Sequence, residues 1–589
     1  MKVLKKIANW LVSVINNFYK KIDKYYFLRL CYLTIGFLFF ISFTTSVMFL
    51  CHLKIGMYNF YISIIILILG YYYFFYKKSD KKMFYINLIT ALVIIAISII
   101  GSMLLFENSW DGWAYHIPSV IEMKNGWNPV YEHNESIGIW SLHYPKFIWI
   151  YGAVLYKTFG NISAGTSFNL IISFSCMFLL LQLFNNLRKN PIKNLIFSLI
   201  VSFNFISVRQ FFSYYNDGVL GICILASLFI FYYFLKSKKL SLNDSDEKFN
   251  IYILLISMYL SILANIKFDG ALFAFIVASF IFVYLIIIKS KKSKILLFIS
   301  LLGTSVLIPA CTTYLPNIIY HHNIGYPIIG ENKIDIIDIF IPKYMTGDGK
   351  VLSFVKSFSC DSDVDSYCKF KPFFKTSIED IKSASTTDSS NGFGPLYQLI
   401  FILFIIYVLS YIIKIIKENK KKKISVSTII KKYYSELTFI LILLIFFFIT
   451  PATWWFRYVP YMYTLPLVII NFSSKETIKK QIQSVLALII VGIYIFNLIF
   501  FGATRILSQI NFSLNLNNQV NELIALSTDE KILIKEVDVD ETYYKRIVRN
   551  EIFKNNQIKY SVIDETDECK LINDYYVFSI ETYDCNPTE

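Results

Sequence analysis

Long apolar runs recur along most of this 589-residue chain, and short basic stretches separate them. A helix needs about 20 apolar residues to cross the roughly 30 Å hydrocarbon core of a bilayer, and many of the runs approach that length. The chain is 56% hydrophobic and 18% aromatic, with a mean hydropathy of +0.52, which exceeds what a soluble core requires. We therefore predict an all-α polytopic membrane protein.

The apolar runs predict about thirteen transmembrane helices within a transmembrane domain at 29–503. We expect these spans at approximately 29–51, 57–76, 83–106, 165–187, 193–208, 218–235, 251–266, 271–288, 295–316, 396–416, 436–452, 459–471 and 482–503. The apolar stretch 146–159 is interpreted instead as a helix lying against the outer surface, because counting it as a span would move the lysines at 236–239 outside.

Lysine and arginine near membrane ends are retained on the cytoplasmic side, so basic clusters mark the inside loops. The clusters are Lys77-Lys78 with Lys81-Lys82, Arg188-Lys189 with Lys193, Lys236 with Lys238-Lys239, Lys289 to Lys294, Lys420 to Lys423, and Lys475 with Lys479-Lys480. This pattern predicts a multi-pass protein of the cell membrane with a cytoplasmic N-terminus and a C-terminus on the outer face. Topology explains the net charge of +16, so no nucleic-acid partner is expected.

Four regions are predicted to lie outside the bilayer. Residues 1–28 form a cytoplasmic amphipathic lead, 107–164 and 317–395 are outer loops, and 504–589 is a C-terminal domain on the outer face. In that last domain, alternating apolar residues predict strands at Lys531–Val537, Ile558–Ile563 and Tyr575–Ile580, and a helix at Tyr543–Phe553. A small extramembrane α/β domain is therefore expected.

Four of the nine cysteines lie in predicted outer regions. Cys360 and Cys368 are close in the second outer loop, and Cys569 and Cys585 share the C-terminal domain. Each pair can form a disulfide if the compartment is oxidising. Neither spacing is that of a zinc site.

Ionisable and aromatic residues gather at the predicted outer ends of the spans. The segment Ser109-Trp110-Asp111-Gly112-Trp113-Ala114-Tyr115-His116-Ile117-Pro118 follows one span and brings a carboxylate and an imidazole to the membrane surface. Four further segments at outer ends are Leu142-His143-Tyr144-Pro145-Lys146, Tyr214-Tyr215-Asn216-Asp217-Gly218, Asn265-Ile266-Lys267-Phe268-Asp269-Gly270 and Thr453-Trp454-Trp455-Phe456-Arg457-Tyr458-Val459-Pro460.

The order of these segments and the loop lengths resemble the GT-C superfamily of membrane glycosyltransferases. That superfamily includes the protein mannosyltransferases, the lipid A aminoarabinose transferases and the oligosaccharyltransferases, and the resemblance covers most of the chain. It implies a GT-C-like fold and transfer of a sugar from a polyprenyl-phosphate carrier to a lipid, glycan or protein acceptor. Asp111 matches the acidic residue that serves as, or positions, the catalytic base, and Asp217 matches a second acidic residue.

Physical chemistry assigns expected roles to the remaining residues. A polyprenyl-phosphate donor keeps its phosphate at the interface, so cations are needed there, and Lys146, Lys267 and Arg457 are the candidates. His116 is a further catalytic candidate. The substrate-binding candidates that complete the set are Trp113, Tyr115, His143 and Tyr458. Magnesium or manganese is a possible cofactor, and Asp111, Asp217 and His321 become candidate ligands only if their loops converge.

Each of these residues also has an interpretation without catalysis. Aromatic residues at a membrane edge are commonly anchors, lysines there extend toward water, and Asp111 suits the start of a helix. At the level of the whole protein, the alternatives are a transporter or flippase for a lipid-linked saccharide, a polysaccharide polymerase or ligase, and a structural or assembly protein. A transporter is expected to carry ionisable groups near the middle of the membrane, whereas those here lie at span ends.

Overall fold

The computed structural model describes residues 2–78, 80–188, 190–237, 246–330, 333–360, 367–372, 393–394, 396–421, 423, 425–473, 482–528, 531–537, 539–563 and 569–585. Within these ranges, ten helices are long and apolar enough to cross a membrane. They are Tyr26–Leu50, Met57–Phe75, Lys81–Met103, Ile162–Leu187, Asp217–Lys236, Phe268–Ile287, Lys292–Ala310, Tyr397–Lys421, Val426–Ile449 and Ile482–Leu526. The prediction of a multi-pass helical membrane protein is confirmed.

Ten of the thirteen predicted spans correspond to these helices, and the other three are shorter. Residues 193–208 form two helices, Pro191–Ser202 and Phe205–Arg209, because Asn204 interrupts the first and caps the second. The predicted span 459–471 is a 3₁₀ segment at Pro460–Thr464 followed by the helix Leu465–Ser473. The span 251–266 corresponds to the apolar part, Phe249–Ala264, of the helix Asp246–Ala264.

The remaining helices lie before, between and after the spans. They are Lys2–Lys21, Ile117–Asn125, Ile139–His143, Phe147–Phe159, Tyr314–His321, Ile336–Phe340, Lys350–Ser359 and Val539–Asn555. The first of them corresponds to the predicted amphipathic lead. Much of the predicted outer loop 317–395, and the basic clusters at 238–239 and 475–480, lie outside the described residues.

The spans differ in how much of their surface other helices cover. Asp217–Lys236 is buried along its whole length up to Leu235, so this helix lies at the centre of the bundle. The helices Met57–Phe75 and Lys81–Met103 instead keep large apolar side chains exposed, among them Leu69 and Ile97. In water such surfaces would favour association, so they are the expected lipid-facing sides.

The helix Phe147–Phe159 confirms that the stretch 146–159 is helical. All its residues from Phe147 to Tyr156 are buried, and it packs against the helices Tyr26–Leu50, Met57–Phe75 and Ile117–Asn125. Other helices therefore cover most of its surface, and it packs directly against the helix Ile117–Asn125. This contact matters for function because the predicted site residues flank both helices.

The C-terminal domain contains a four-stranded sheet. Its strands are β1 (Ile532–Glu536), β2 (Tyr560–Val562), β3 (Lys570–Tyr575) and β4 (Ile580–Asp584), in the order β2-β1-β4-β3. β1 and β2 are parallel and are joined through the helix Val539–Asn555, whereas β4 is antiparallel to both β1 and β3. The small α/β domain is present, although the helix Ile482–Leu526 continues well past residue 503 before the sheet begins.

One predicted strand of this domain is wrong. Residues 576–579 are the turn between β3, which ends at Tyr575, and β4, which begins at Ile580, and Ser579 lies in the left-handed region at φ 52°. The apolar residues of this stretch suggested a strand, but Val577 and Phe578 are buried at the tip of the hairpin. The ring of Phe578 packs against those of Trp113 and Phe553.

The C-terminal domain packs directly on the first outer loop. Glu551 Oε1 accepts hydrogen bonds from Lys124 Nζ at 2.8 Å and from the Tyr156 hydroxyl at 2.6 Å. Asn555 Nδ2 also donates to the Tyr156 hydroxyl, at 2.8 Å. The loop 107–164 and the C-terminal domain therefore lie on the same side of the bundle.

Both predicted cysteine pairs are disulfides in the structure. Cys360 is bonded to Cys368, and Cys569 is bonded to Cys585. The other cysteines are free, and they are Cys31, Cys51, Cys176, Cys223 and Cys311. Disulfides are the form in which such pairs persist in oxidising compartments.

Candidate functional site

Asp111 lies in a tight turn that is stabilised by the buried carboxyl group of Glu107. The turn connects the span Lys81–Met103 to a π-helical segment at Gly112–His116. Glu107 is buried, and its carboxylate accepts hydrogen bonds from the backbone N–H of Ser109 at 3.2 Å and of Tyr214 at 2.5 Å. Gly112 is required beside it, because a Cβ at this position would lie 2.4 Å from Glu107 Cγ. Glu107 thus fastens the Asp111 turn to the segment that precedes Asp217.

Burial raises the pKa of Glu107 to about 7, although hydrogen bonds from Ser109 and Tyr214 and the charge of Arg505 lower it. The carboxyl group is therefore protonated in a large part of the molecules near neutral pH. In the protonated form the side chain is neutral and still accepts the hydrogen bonds from Ser109 and Tyr214. A neutral group suits a position enclosed by protein.

Asp217 begins the central helix Asp217–Lys236, and its carboxylate is fully enclosed. Lys267 Nζ donates to Oδ1 at 2.8 Å, while Gln210 Nε2 and Arg457 Nε donate to Oδ2 at 2.9 Å and 3.1 Å. Gln210 Oε1 in turn accepts from the backbone N–H of Gly218 at 2.6 Å, which fixes the start of the helix. The side chain of Asp217 is 0% exposed.

Arg457 joins Asp217 to Asp111. Its Nη2 donates to Asp111 Oδ2 at 2.8 Å, and its guanidinium carbon lies 4.8 Å from the centre of the Tyr215 ring. Burial lowers the pKa of Arg457, but the carboxylates of Asp217 and Asp111 raise it more, so that the pKa is well above the usual value. The planar fork of the guanidinium suits a bridge between two carboxylates.

Lys267 completes the cluster from the segment before the helix Phe268–Ile287. Its amine lies 4.1 Å from the centre of the Tyr458 ring, in addition to the ion pair with Asp217. Asn216 Nδ2 donates to the carbonyl of Ile266 at 2.6 Å, which holds the two segments together. Burial lowers the pKa of Lys267, and the carboxylates of Asp217 and Asp269 raise it above the usual value.

The two acidic residues of the cluster differ in access. The Asp111 side chain is 11% exposed, and its Oδ1 accepts no hydrogen bond from any described residue. Arg457 Nη1 likewise donates to no described residue. Near the end of the central helix, an acceptor oxygen of Asp111 and a donor nitrogen of Arg457 therefore have no partner among the described residues.

The cluster lies at one end of the bundle. Asp217 and Lys236 are the two ends of a 20-residue helix, a length of about 30 Å at 1.5 Å per residue. A cavity of about 330 Å³ lined by Lys236, Lys432 and Glu436 is at the opposite end. The acidic and basic residues of the site are thus at the end of the helix, as predicted, and not at its middle.

The structure brings together Asp111, Asp217, Lys267, Arg457 and Tyr458, and the other five predicted residues have different surroundings. Trp113 is buried against Phe106, Phe512 and Phe578, and its indole N–H donates to the Glu107 carbonyl at 2.8 Å. This ring supports the Asp111 turn and is not an open platform for a sugar.

His116 and Tyr115 lie directly after that turn. His116 is buried, burial lowers its pKa to about 4, and its Nδ1 accepts a hydrogen bond from Trp149 Nε1 at 2.7 Å. The ring is therefore neutral at physiological pH, with its proton on Nε2. Tyr115 is half-buried, with the rings of Tyr144 and Trp149 beside it.

Lys146 and His143 point toward other partners. The Lys146 amine donates to the carbonyls of Leu142 at 2.7 Å and Tyr144 at 3.0 Å, and burial lowers its pKa to about 7. Its contacts are thus with its own loop. His143 Nδ1 is 2.8 Å from Asn317 Oδ1, in a group of aromatic residues that also contains His321.

Magnesium and manganese prefer several oxygen ligands. Across the part of the chain that the structure describes, no group of three or more His, Cys, Asp and Glu residues is arranged to hold a metal ion. Asp111 and Asp217 share a guanidinium, and His321 contacts His143 instead of these carboxylates.

Two residues that sequence reasoning missed are Glu107 and Gln210. Nothing in their local sequence distinguishes them, because their roles depend on contacts with Tyr214 and Gly218 that only the fold creates.

No protein-family model, curated protein or solved structure matches the chain.

Proposed function

We propose that this protein is a membrane glycosyltransferase that moves a sugar from a polyprenyl-phosphate carrier to an acceptor at the outer face of the membrane. The observation that carries the proposal is the ion pair of Asp111 with Arg457, in which Asp111 Oδ1 and Arg457 Nη1 have no hydrogen-bond partner among the described residues. Such a pair offers a base for an acceptor hydroxyl and a cation for a phosphate.

Asp111 Oδ1 takes the proton of the acceptor hydroxyl. At the same time, the oxygen of that hydroxyl forms a bond to the anomeric carbon of the donor sugar. The bond between that carbon and the phosphate oxygen breaks, and the electron pair leaves with the polyprenyl phosphate. This single displacement inverts the configuration at the anomeric carbon. A base held at the acceptor oxygen contributes typically 10²–10⁴-fold to such a reaction.

The cations of the cluster stabilise the leaving group. Arg457 Nη1 binds a phosphate oxygen, and Asp217 holds the guanidinium in the required orientation through Nε. Lys267 adds a second positive charge, fixed by Asp217 and the Tyr458 ring. Donors that are held in place before the reaction stabilise developing charge without reorganisation.

The position of the cluster favours a lipid-linked substrate. A polyprenyl chain stays in the bilayer, so its phosphate is at the level of the helix ends, where Arg457 and Lys267 lie. A soluble nucleotide sugar would not need a site at that depth. The lipid-facing surfaces of neighbouring spans allow the carrier tail to approach from the membrane.

The test is a transfer assay with the purified full-length protein in liposomes. Polyprenyl-phosphate sugars of several kinds, each radiolabelled in the sugar, are supplied with a membrane extract as the source of acceptor. Movement of label from the carrier with inversion at the anomeric carbon supports the proposal. Label that stays on the carrier but crosses to the opposite leaflet would indicate a flippase, and label that grows into long chains would indicate a polymerase.

A further inference from the structure

The cavity at the end of the bundle opposite Asp111 has charged residues in its wall. Its volume is about 330 Å³, and its charged lining residues are Lys236, Lys432 and Glu436. This volume is at the lower end of the roughly 300–1,000 Å³ found for small-molecule pockets, so it suits a small polar group. The helices that form the wall are Asp217–Lys236, Tyr397–Lys421, Val426–Ile449 and Leu465–Ser473.

The charges of the cavity wall sum to a positive value. Glu436 is buried, and Lys236 Nζ donates to its Oε2 at 2.7 Å. The Tyr232 hydroxyl donates to the other carboxylate oxygen, Oε1, at 3.0 Å. Lys236 therefore balances the charge of Glu436. Lys432, which is exposed, adds a second cation, so the cavity attracts an anion.

The chain around the cavity adds further positive charge. Between residues 411 and 436 the sequence has eight lysines and two glutamates. Clusters of lysine next to the end of a membrane helix, and basic pockets between such helices, attract anionic lipid headgroups. This is also the side on which the sequence predicts the basic inside loops. The expected ligand is therefore an anion that belongs to the membrane.

Apolar side chains next to the cavity favour a lipid over a free anion. The helices Tyr397–Lys421 and Val426–Ile449 both extend from the cavity toward the middle of the membrane. Along this direction they keep large apolar side chains exposed, and these are Ile405, Leu409, Leu437 and Leu441. Such side chains on a membrane span are expected to face hydrocarbon. A ligand with a headgroup in the cavity would have its acyl chains beside them.

We propose that this cavity binds the headgroup of a negatively charged phospholipid, with the phosphate near Lys432 and Lys236 and the acyl chains along the two exposed helix faces. Tyr411 and Tyr433 also line the cavity, and tyrosine rings are common at the level of lipid headgroups. The bound lipid connects helices that meet at this end of the bundle. The proposal is independent of the proposed transferase activity, because the cavity wall includes neither Asp111 nor Arg457.

The experiment titrates the purified full-length protein in detergent micelles with phosphatidylglycerol. Native mass spectrometry measures the bound lipid, and a thermal scan measures the unfolding temperature. Phosphatidylcholine and inorganic phosphate are titrated separately. We expect phosphatidylglycerol to bind more tightly than phosphatidylcholine and to raise the unfolding temperature, because a ligand that binds only the folded state stabilises it. Equal affinity for the two lipids would overturn the proposal. Stabilisation by inorganic phosphate equal to that by phosphatidylglycerol would show a site for free anions and would also overturn it.

Two variants with the same change of net charge test the position of the site. Lys432→Gln removes a cation from the cavity, and we expect the affinity for phosphatidylglycerol to fall about five-fold. Lys431→Gln is the matched control, because Lys431 is the preceding residue of the same helix and does not line the cavity. Both lysines are exposed, so neither change should disturb folding. Lys431→Gln should bind phosphatidylglycerol as the wild type does. An equal loss of affinity in the two variants would show attraction to the surface as a whole and would refute the site.

Discussion

Asp111 and Asp217 accept hydrogen bonds from the same guanidinium, through Arg457 Nη2 at 2.8 Å and Nε at 3.1 Å. The Asp111 side chain is 11% exposed and its Oδ1 accepts no hydrogen bond from any described residue, whereas Asp217 is enclosed by three donors. The two acids therefore have different roles in the proposed reaction. We propose that Asp111 faces the substrate and that Asp217 positions Arg457.

Replacing Arg457 with lysine should separate the charge of this residue from its geometry. An ammonium group cannot donate in plane to both carboxylates and also reach a phosphate. We expect Arg457→Lys to lower the rate of sugar transfer by about 10²-fold or more. Arg29→Lys is the matched control, because Arg29 is a buried arginine that pairs with Asp23 elsewhere in the bundle. Equal losses in the two variants would contradict a specific role for Arg457.

Glu107 should make the stability of the protein depend on pH. Its pKa in the folded protein is about 7, above the ordinary value of 4.5, so the folded state keeps a proton that the unfolded chain has released between these pH values. Stability therefore falls as pH rises through this window, by about 3 kcal/mol in total, and levels off above pH 7.

Thermal unfolding from pH 5 to 8 measures this effect. Glu107→Gln should flatten the decrease, whereas Glu135→Gln, an exposed position in the same loop, should leave it unchanged. A wild-type profile parallel to that of Glu107→Gln would show that Glu107 titrates as an ordinary carboxylate.

Gly112 should tolerate no side chain. An alanine Cβ would lie 2.4 Å from Glu107 Cγ, so either the Glu107 side chain or the Asp111 turn would have to move. We expect Gly112→Ala to cost roughly 1–3 kcal/mol of stability and to reduce transfer. Gly138→Ala is the control in the same loop, since nothing lies within 4 Å of its Cβ position. In a Glu107→Ala background, which has no Cγ to meet, adding Gly112→Ala should cost much less stability than it does in the wild type. An equal cost in the two backgrounds would refute the clash as the cause.

The contact between the C-terminal domain and the first outer loop should depend on charge. Glu551→Lys places a cation against Lys124 and removes the acceptor of the Tyr156 hydroxyl. We expect faster hydrogen exchange in the helix Ile117–Asn125 and a lower unfolding temperature. The swapped pair Lys124→Glu/Glu551→Lys should restore much of the protection, because the ion pair is re-formed. Exchange that is unchanged by Glu551→Lys would mean that the domain does not brace the loop.

The sequence predicted the membrane spans well where apolar runs were long and uninterrupted. Three of the predicted spans are shorter helices in the described residues, and two of these are interrupted or begin at Asn204 and Pro460. It also misassigned the hairpin tip at Val577 and Phe578, since apolar residues that turn inward at a reversal look like a strand. Local composition predicts which residues are buried, but it does not predict where the chain reverses.

The site was predictable to the extent that its members follow helix ends on one side. Asp111, Asp217, Lys267 and Arg457 come together because the spans before or after them all end there. The positions of other side chains depended on long-range packing. Lys146 turns to its own carbonyls, and no local pattern distinguishes that arrangement from one in which it faces a phosphate.

The central claim is that Asp111 is the base for sugar transfer. The most direct measurement compares single-turnover transfer from a radiolabelled polyprenyl-phosphate sugar by wild type, Asp111→Asn and Asp23→Asn, each purified and shown to be folded. Asp23→Asn is the control because it alters another acid paired with a buried arginine. We expect Asp111→Asn to reduce the rate by at least about 10²-fold while Asp23→Asn retains it. Transfer by Asp111→Asn at the wild-type rate would contradict the account.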